Sequence, residues 1–211
     1  MSWFMRFTRF GDIHAVYGQE QPNSCGIACV LMATFKINKL VPGRTALHAE
    51  TQVYDVYGRV SASTYDGSAY TYTNHLASTL NQLNVGTWRS EQIGMSAIPE
   101  AITNSVGTDI VGLGPVVNGI RRGSPIIVLV GWREGDAHFV LIDTVNSILG
   151  ATYASVCDPW DADIHITRFR RGEDFKYAGG AVRGSWSIGS TPRAYTTPRE
   201  GNANGWIVRR V

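Results

Sequence analysis

The stretch Gln19-Glu20-Gln21-Pro22-Asn23-Ser24-Cys25-Gly26-Ile27-Ala28-Cys29 decides how this chain is interpreted. Asn23 and Ser24 are favourable helix N-cap residues, and they stand directly before Cys25. Apolar residues then follow at helical spacing: Ala28, Leu31, Met32 and Phe35. The pattern predicts a helix over residues 24–37 with one buried face and with Cys25 in its first turn. The positive end of a helix favours the thiolate, which is the nucleophilic form of cysteine.

Two later stretches contain a histidine and an aspartate in the order that a thiol nucleophile requires. They are Ala137-His138-Phe139-Val140-Leu141-Ile142 and Val156-Cys157-Asp158-Pro159-Trp160. We expect His138 to accept and return the proton and Asp158 to orient the imidazole. Gln19 is expected to donate its amide to the oxyanion, beside the backbone N–H of Cys25. Gly26 is expected to leave room for the substrate to approach the sulfur.

Several other residues compete for these roles. Gln21 is the alternative oxyanion donor, and four other aspartates are alternative orienters: Asp136, Asp143, Asp161 and Asp163. Asp158 is preferred because it ends an apolar strand and precedes a proline that fixes the chain direction.

These motifs resemble those of papain-like cysteine peptidases. The resemblance is to the bacterial branch that contains bacteriocin-leader-processing (double-glycine) peptidases and the papain-like effector proteases of plant pathogens. Residues 19–29 resemble its Gln…Cys-Gly-x-Ala-Cys segment, Ala137–Val140 its His-Phe-Val-Val strand, and Cys157–Trp160 the following Asp-Pro. Ser24 stands where the leader peptidases usually have Asp, which argues against a double-glycine leader as the substrate. The resemblance implies a Cys25–His138–Asp158 triad that needs no cofactor.

The fold predicted from the chain is a single α+β domain over residues 1–211, of papain-like type. Helices crowd the first half and strands the second, and the active cleft is expected between them. The predicted helices beyond the first are 44–57, 74–84, 96–105 and 116–122. The predicted strands are 85–92, 125–132, 137–146, 151–157, 163–169, 181–188 and Trp206–Val208. Residues 190–204 are polar and predict a loosely held loop.

The amino-acid composition excludes some classes of binding partner. Apolar residues make up 44% of the chain and charged residues 17%, as in a globular protein, and the net charge of +2 is too small to indicate nucleic acid. No apolar run reaches the roughly 18 residues that cross a bilayer. Arg6 interrupts the region where a signal peptide would be apolar. We expect a cytoplasmic protein, or one exported without a classical signal, that acts on a peptide or protein, including a protein of a host or competitor cell.

A metal site and buried thiols are the alternatives for the cysteines. Cys25, Cys29, Cys157 and His138 have the number and type of ligands that zinc takes, but Cys-x-x-x-Cys at a helix start is poor spacing for it. We therefore expect no metal, and we expect Cys29 and Cys157 to be core residues. The remaining histidines, His14, His48, His75 and His165, are expected to be solvated, with His165 bordering the cleft as an alternative.

The predicted function is hydrolysis of peptide bonds by a cysteine peptidase. The same residues would also serve an amidase that cuts cell-wall peptides, a protein deamidase or an acyltransferase. A catalytically dead binding module is the non-enzymatic alternative.

Overall fold

The fold is described from a computed structural model. It describes residues 3–38, 47, 49–110, 123–180, 185–187 and 193–211.

Four α-helices lie in this part of the chain: α1 (Cys25–Asn38), α2 (Thr51–Ser61), α3 (Thr73–Gln82) and α4 (Ile98–Val106). Helix α1 is the centre of the fold, since residues 25–34 are all buried. The expectation of a single buried face is therefore wrong, because the sheet covers one side of α1 while α2 and α3 cover another. A short 3-10 turn, Met95–Ala97, precedes α4, and Pro99 lies in its first turn, where its missing N–H costs nothing. None of the described helices is long and apolar enough to span a membrane.

Eleven strands are described: β1 (Trp3–Thr8), β2 (Ile13–Tyr17), β3 (Trp88–Gln92), β4 (Asp109–Ile110), β5 (Ile126–Trp132), β6 (Ala137–Ile148), β7 (Ala151–Asp158), β8 (Asp163–Phe169), β9 (Lys176–Gly179), β10 (Ser185–Ser187) and β11 (Arg199–Arg210). The larger sheet has the order β3-β11-β5-β6-β7-β8, with β9 paired to β11. All of these pairs are antiparallel, and β4 joins β6 as a parallel strand. The smaller sheet has the order β10-β1-β2.

Both faces of the larger sheet are covered, which explains the continuous apolar run in β6. Phe139 and Leu141 pack with α1 in one core, and Val140 and Ile142 pack with α4 in the other. Successive side chains of a strand point to opposite faces, so a strand between two cores needs apolar residues at every position.

The α+β class and the helices α1, α3 and α4 confirm the sequence predictions. The predicted helix 44–57 is displaced, because α2 begins at Thr51 and continues to Ser61. The predicted helix 116–122 lies outside the described residues, and of the predicted strand 181–188 only the segment 185–187 is described. The pair β1 and β2, in the first half of the chain, was not predicted.

The prediction of a loose loop over 190–204 is wrong from Arg199 onward, where β11 begins. Gly201 and Ala203 are buried, as every second residue of this stretch must be in a paired strand. A Cβ at position 201 would lie 2.5 Å from the carbonyl oxygen of Gly131 on the neighbouring strand. The inner face is thus made of very small residues, which gives no apolar signal in the sequence.

Candidate active site

Cys25 begins α1, and its side chain is nearly enclosed, with 9% of the residue exposed. The turn before it is held by Ser24, whose hydroxyl accepts from the Gln21 N–H (3.1 Å) and donates to the Glu50 carboxylate (2.9 Å). The Asn23 amide donates to the Ser68 carbonyl at 2.5 Å. These two side chains therefore tie the turn to neighbouring segments, where the sequence had indicated helix caps.

Glu50 is a buried carboxylate that the sequence analysis missed. Besides Ser24, it accepts the Tyr54 hydroxyl (2.6 Å) and the Glu20 N–H (3.1 Å). Burial raises the pKa of Glu50, although these hydrogen bonds oppose the rise. Glu50 thus anchors the segment that carries Cys25 to the N-terminus of α2.

His138 and Asp158 meet across the sheet, as the sequence predicted. The Nε2 of His138, near the start of β6, lies 2.7 Å from Oδ1 of Asp158, the last residue of β7. Burial lowers the pKa of His138, but the charge and hydrogen bond of Asp158 outweigh it, with a further contribution from a hydrogen bond to Cys25, and the result is about 10. The imidazole is therefore protonated at neutral pH. Since Nε2 is taken by Asp158, Nδ1 is the nitrogen that faces the thiol.

Asp158 is fully buried and is surrounded by donors. Besides His138, its oxygens accept the Trp160 backbone N–H (2.8 Å), the Tyr177 hydroxyl (2.5 Å) and the Tyr195 hydroxyl (2.7 Å). Burial raises the pKa of Asp158, but the charge and hydrogen bond of His138, the charge of His165 and the hydrogen bond from Tyr177 lower it well below its usual range. A carboxylate with this many donors remains ionised and fixed in orientation.

The tyrosine at 195 fits because two glycines leave it space. A Cβ at Gly179 would lie 2.7 Å from Cζ of Tyr195, and a Cβ at Gly180 would lie 2.7 Å from its Cβ. The pair Gly179-Gly180 therefore serves packing around Asp158. No pattern in the sequence marks Tyr177 or Tyr195 as partners of Asp158, because they come from β9 and from the irregular segment before β11.

Trp132 shields the imidazole. Its ring stacks on His138 with centroids 5.8 Å apart and an interplanar angle of 19°. Trp160 contributes its backbone N–H to Asp158, and the centroid of its ring lies 6.4 Å from that of Tyr195. Water is thus kept from the His138–Asp158 bond by Trp132 and the two tyrosines.

Gln19 lies at the site but is bonded within its own turn. Its amide nitrogen donates to the carbonyl oxygens of Gln21 (2.8 Å) and Pro22 (2.9 Å), and its Oε1 is buried without a partner. Its backbone N–H donates to Pro159 at 2.8 Å, which joins the cysteine segment to the aspartate segment. To donate to an oxyanion, the Gln19 side chain must give up one of these two hydrogen bonds. Gln21, the competitor, is exposed.

Gly26 is required by packing, and the expectation that it leaves room for substrate is wrong. A Cβ at this position would overlap the Thr71 hydroxyl and lie 3.0 Å from Cδ1 of Leu76. The segment that leads into α3 therefore presses directly on the first turn of α1.

Two of the histidines expected to be solvated are buried instead. His165 bonds Asp161 at 2.9 Å, and His14 bonds Asp143, which also pairs with Lys36. Each pairing explains the burial, because a buried carboxylate needs donors around it. His75 is partly buried, and His48 lies outside the described residues.

Two groups of ligand-type side chains have atoms within 4.8 Å of one another in the described chain: His14 with Asp143 and Cys157, and Asp158 with Asp161 and His165. In the first, the Lys36 ammonium opposes a cation. In the second, Asp158 already accepts four hydrogen bonds. The alternative zinc site is not formed, since no three of Cys25, Cys29, Cys157 and His138 have ligand atoms within 4.8 Å of one another. Cys29 and Cys157 are buried, as predicted.

Two cavities lie near the residues that carry the site. One, of about 270 Å³, lies between residues 71–74 and the apolar side chains of Leu129, Phe139 and Trp206. It opens beside the nucleophile helix, because Thr71 packs on Gly26. The other, of about 250 Å³, is lined by His138 itself.

No protein-family model matches the chain, and no curated protein is significantly similar to it in sequence. The fold and the site define an α+β protein in which a buried cysteine begins a central helix and a buried His138–Asp158 pair lies on two strands of the larger sheet.

Proposed function

We propose that this protein is a cysteine hydrolase that cleaves peptide bonds. One observation carries the proposal. Asp158 holds Nε2 of His138 and keeps the imidazole protonated, so that Nδ1–H faces a thiol at the positive end of α1. A thiolate and an imidazolium side by side are the reactive form of a cysteine nucleophile.

The reaction follows from these positions. The Cys25 thiolate attacks the substrate carbonyl, and the tetrahedral intermediate collapses as His138 protonates the leaving amine. A thioester to Cys25 remains. His138, now neutral, removes a proton from water, which attacks the thioester and releases the acid and the thiolate. Asp158 stays ionised throughout and fixes the imidazole. Each step uses only these side chains and water, so no cofactor is proposed.

The oxyanion is assigned to the Cys25 backbone N–H and to the Gln19 amide. The first N–H groups of a helix have no partner within the helix. The backbone N–H of Cys25 can therefore donate to the oxyanion. The Gln19 amide would have to exchange a bond to Gln21 or Pro22 for one to the oxyanion, which neutral carbonyl partners permit.

Substitution of Gln19 tests this assignment. Gln19→Ala should lower kcat by about 10²-fold with little change in KM, as expected on loss of one oxyanion donor. Gln21→Ala is the matched control and should retain activity. A larger loss from Gln21→Ala would transfer the role to that residue, and a raised KM with normal kcat would make Gln19 a binding residue.

We further propose a papain-like arrangement, in which helices carry the nucleophile and the sheet carries the base and its orienter. Cys25 begins α1 in the helical layer, and His138 and Asp158 stand at the ends of paired strands of the larger sheet. The contact of Cys25 with His138 then lies where the two layers meet.

A peptide is the substrate that the site favours over a small amide. One cavity is lined by His138, and the other is lined by Thr71, which packs on Gly26, and by Phe139, which follows His138, so an extended chain has room near the scissile bond. The substrate would be a peptide or protein of the cell itself or, after export, of a host or competitor cell. Amidase, deamidase and acyltransferase activities use the same chemistry, and the test below distinguishes the amidase and the deamidase from a peptidase.

Covalent trapping tests the proposed reaction. An electrophilic peptide probe should label Cys25 alone, and Cys25→Ala and His138→Ala should abolish both labelling and peptide turnover while circular dichroism stays unchanged. Purified peptidoglycan and glutamine-containing proteins are assayed in parallel. Full activity of a folded Cys25→Ala protein would overturn the proposal. Release of cell-wall fragments or ammonia without peptide cleavage would reassign the enzyme to an amidase or a deamidase.

A further inference from the structure

The cavity beside His138 combines aromatic walls with positive charge. Its walls include Trp132, Trp160 and Tyr195, and Arg199 also lines it. Among the described residues that line this cavity, Arg199 and His138 are the ones that carry charge, and none is acidic. The walls thus favour a flat or extended group, and the charges favour an anion.

The position of this cavity relates it to one part of the substrate. His138 must protonate the leaving amine, so the residues after the scissile bond lie next to the imidazole. The cavity that His138 lines therefore receives the leaving part of the substrate.

The guanidinium of Arg199 is held over an aromatic ring. It lies 4.9 Å from the centroid of Trp132, the same ring that stacks on His138. Its other contacts are weak, namely a 3.4 Å hydrogen bond to the Gly135 carbonyl and a 3.8 Å ion pair with the largely exposed Glu134. A guanidinium has five N–H donors, so Arg199 can still bind a carboxylate in a bidentate manner.

A second arginine packs on a tryptophan that lines the same cavity. The guanidinium of Arg193 lies 5.1 Å from the Trp160 ring and donates to the Glu20 carbonyl at 3.2 Å. Arg193 and Arg199 are therefore each fixed on a tryptophan of the cavity wall, which lowers the entropy that either would lose on binding an anion.

We propose that this cavity binds a carboxylate on the leaving side of the scissile bond, with Arg199 as the main partner and Arg193 as an auxiliary one. The proposal rests on the peptidase function above and gives it a specificity for cleavage before acidic residues. The carboxylate belongs either to an Asp or Glu side chain or to the C-terminus of a short leaving peptide, and both are recognised by the same chemistry.

Peptide kinetics test the specificity. The substrates share one acyl half and carry Glu, Gln or Lys at the first or second residue after the scissile bond, with an amidated C-terminus. A further Gln peptide ends in a free carboxylate. We expect kcat/KM to favour Glu over Gln by about 5- to 10-fold, a modest ratio because Arg199 is partly exposed, and to do so less at high salt.

Two variants assign the preference to Arg199, and a third serves as the control. In Arg199→Gln the ratio of kcat/KM for the Glu peptide to that for the Gln peptide should be close to 1. In Arg199→Glu the Lys peptide should have the highest kcat/KM. Arg171→Gln removes an exposed arginine elsewhere on the surface and should leave the ratio unchanged. If the free C-terminus is preferred and the preference depends on Arg199, the terminal carboxylate is the ligand. A ratio near 1 in the unmodified protein, or one that Arg199→Gln leaves unchanged, would overturn the proposal.

A binding experiment separates this proposal from the proposed reaction. Peptides that correspond to the leaving half, with Glu or Gln, are titrated into the Cys25→Ala protein, and the fluorescence of Trp132 and Trp160 reports binding. Preference for Glu that disappears in the Cys25→Ala/Arg199→Gln protein supports the carboxylate site even if no peptide is ever cleaved. Equal binding of both peptides refutes the site even if cleavage occurs.

Discussion

Replacement of Asp158 by asparagine should weaken the enzyme by a defined and moderate amount. Oδ1 of Asp158 accepts hydrogen bonds from two groups that can only donate, the Trp160 backbone N–H and the imidazolium N–H of His138. An asparagine must therefore place its amide oxygen there, because its NH2 group would meet the Trp160 N–H. The NH2 group then faces the hydroxyls of Tyr177 and Tyr195, which can rotate to accept it.

The variant thus keeps the protonation of Nε2 and loses only the negative charge. Charge-assisted hydrogen bonds are roughly twice as strong as neutral ones, so the loss is about 1–1.5 kcal/mol. This corresponds to about a tenfold fall in kcat/KM at pH 7.

The loss of charge should also alter the pH profile. Asp158 is the main cause that raises the pKa of His138 to about 10. A group whose pKa is raised by folding contributes its full stabilisation below the unfolded value, about 6.5, and loses it as the pH rises through the folded value. In Asp158→Asn the pKa of His138 is lower, so the imidazole loses its proton at a lower pH. A loss of about 1.4 kcal/mol in the interaction with the imidazolium lowers this pKa by about one unit. Activity should therefore decline at lower pH on the alkaline side.

Steady-state kinetics from pH 5 to 10.5 measure both effects. Asp136→Asn is the matched control, because Asp136 is exposed in the turn before His138 and bonds only its own loop, at the Ala137 N–H. It should leave the profile unchanged. An alkaline limit that stays in place in Asp158→Asn, or a loss as complete as that of Cys25→Ala, would refute the reasoning. Inactivation by Asp163→Asn with no effect of Asp158→Asn would mean that the orienter is another aspartate.

Three further predictions concern reactivity and stability. Brief exposure to iodoacetamide at about pH 6 should label Cys25 and spare the two fully buried cysteines, as peptide mapping would show; equal labelling would contradict an activated nucleophile. Gly26→Ala should lower the free energy of unfolding by about 1–3 kcal/mol in urea, whereas Gly94→Ala, with open space around it, should not; equal effects would contradict the packing argument. Tyr195→Phe should cost about 1.5–3 kcal/mol at pH 7, the value of a hydrogen bond to a charged group. Because the pKa of Asp158 is lowered by folding, its stabilisation is complete above about pH 4 and is lost as the pH falls through the folded value, so the Tyr195→Phe deficit should shrink in acid; a constant deficit would contradict this.

The sequence by itself determined the parts of the protein whose signals are local. The helix at Cys25 follows from apolar spacing, and strand β6 follows from an apolar run with His138 near its start. Asp158 was preferred over its neighbours because it ends an apolar strand, and the structure places it against His138. These inferences succeed because the period of a helix or strand is written in neighbouring residues.

The tertiary structure alone decided the surroundings of those residues. Tyr177 and Tyr195 reach Asp158 from separate segments, Trp132 covers His138 from the adjacent strand, and Gly26 is small because Thr71 presses on it. None of these contacts has a sequence period, since each joins residues that are distant in the chain. The first half of strand β11 was likewise hidden, because its inner face is glycine and alanine and is recognisable only by the strands that pair with it, whereas its end at Trp206–Val208 was predicted. Long-range packing thus fixes the protonation and the shielding of the site, while local periodicity fixes the elements that carry it.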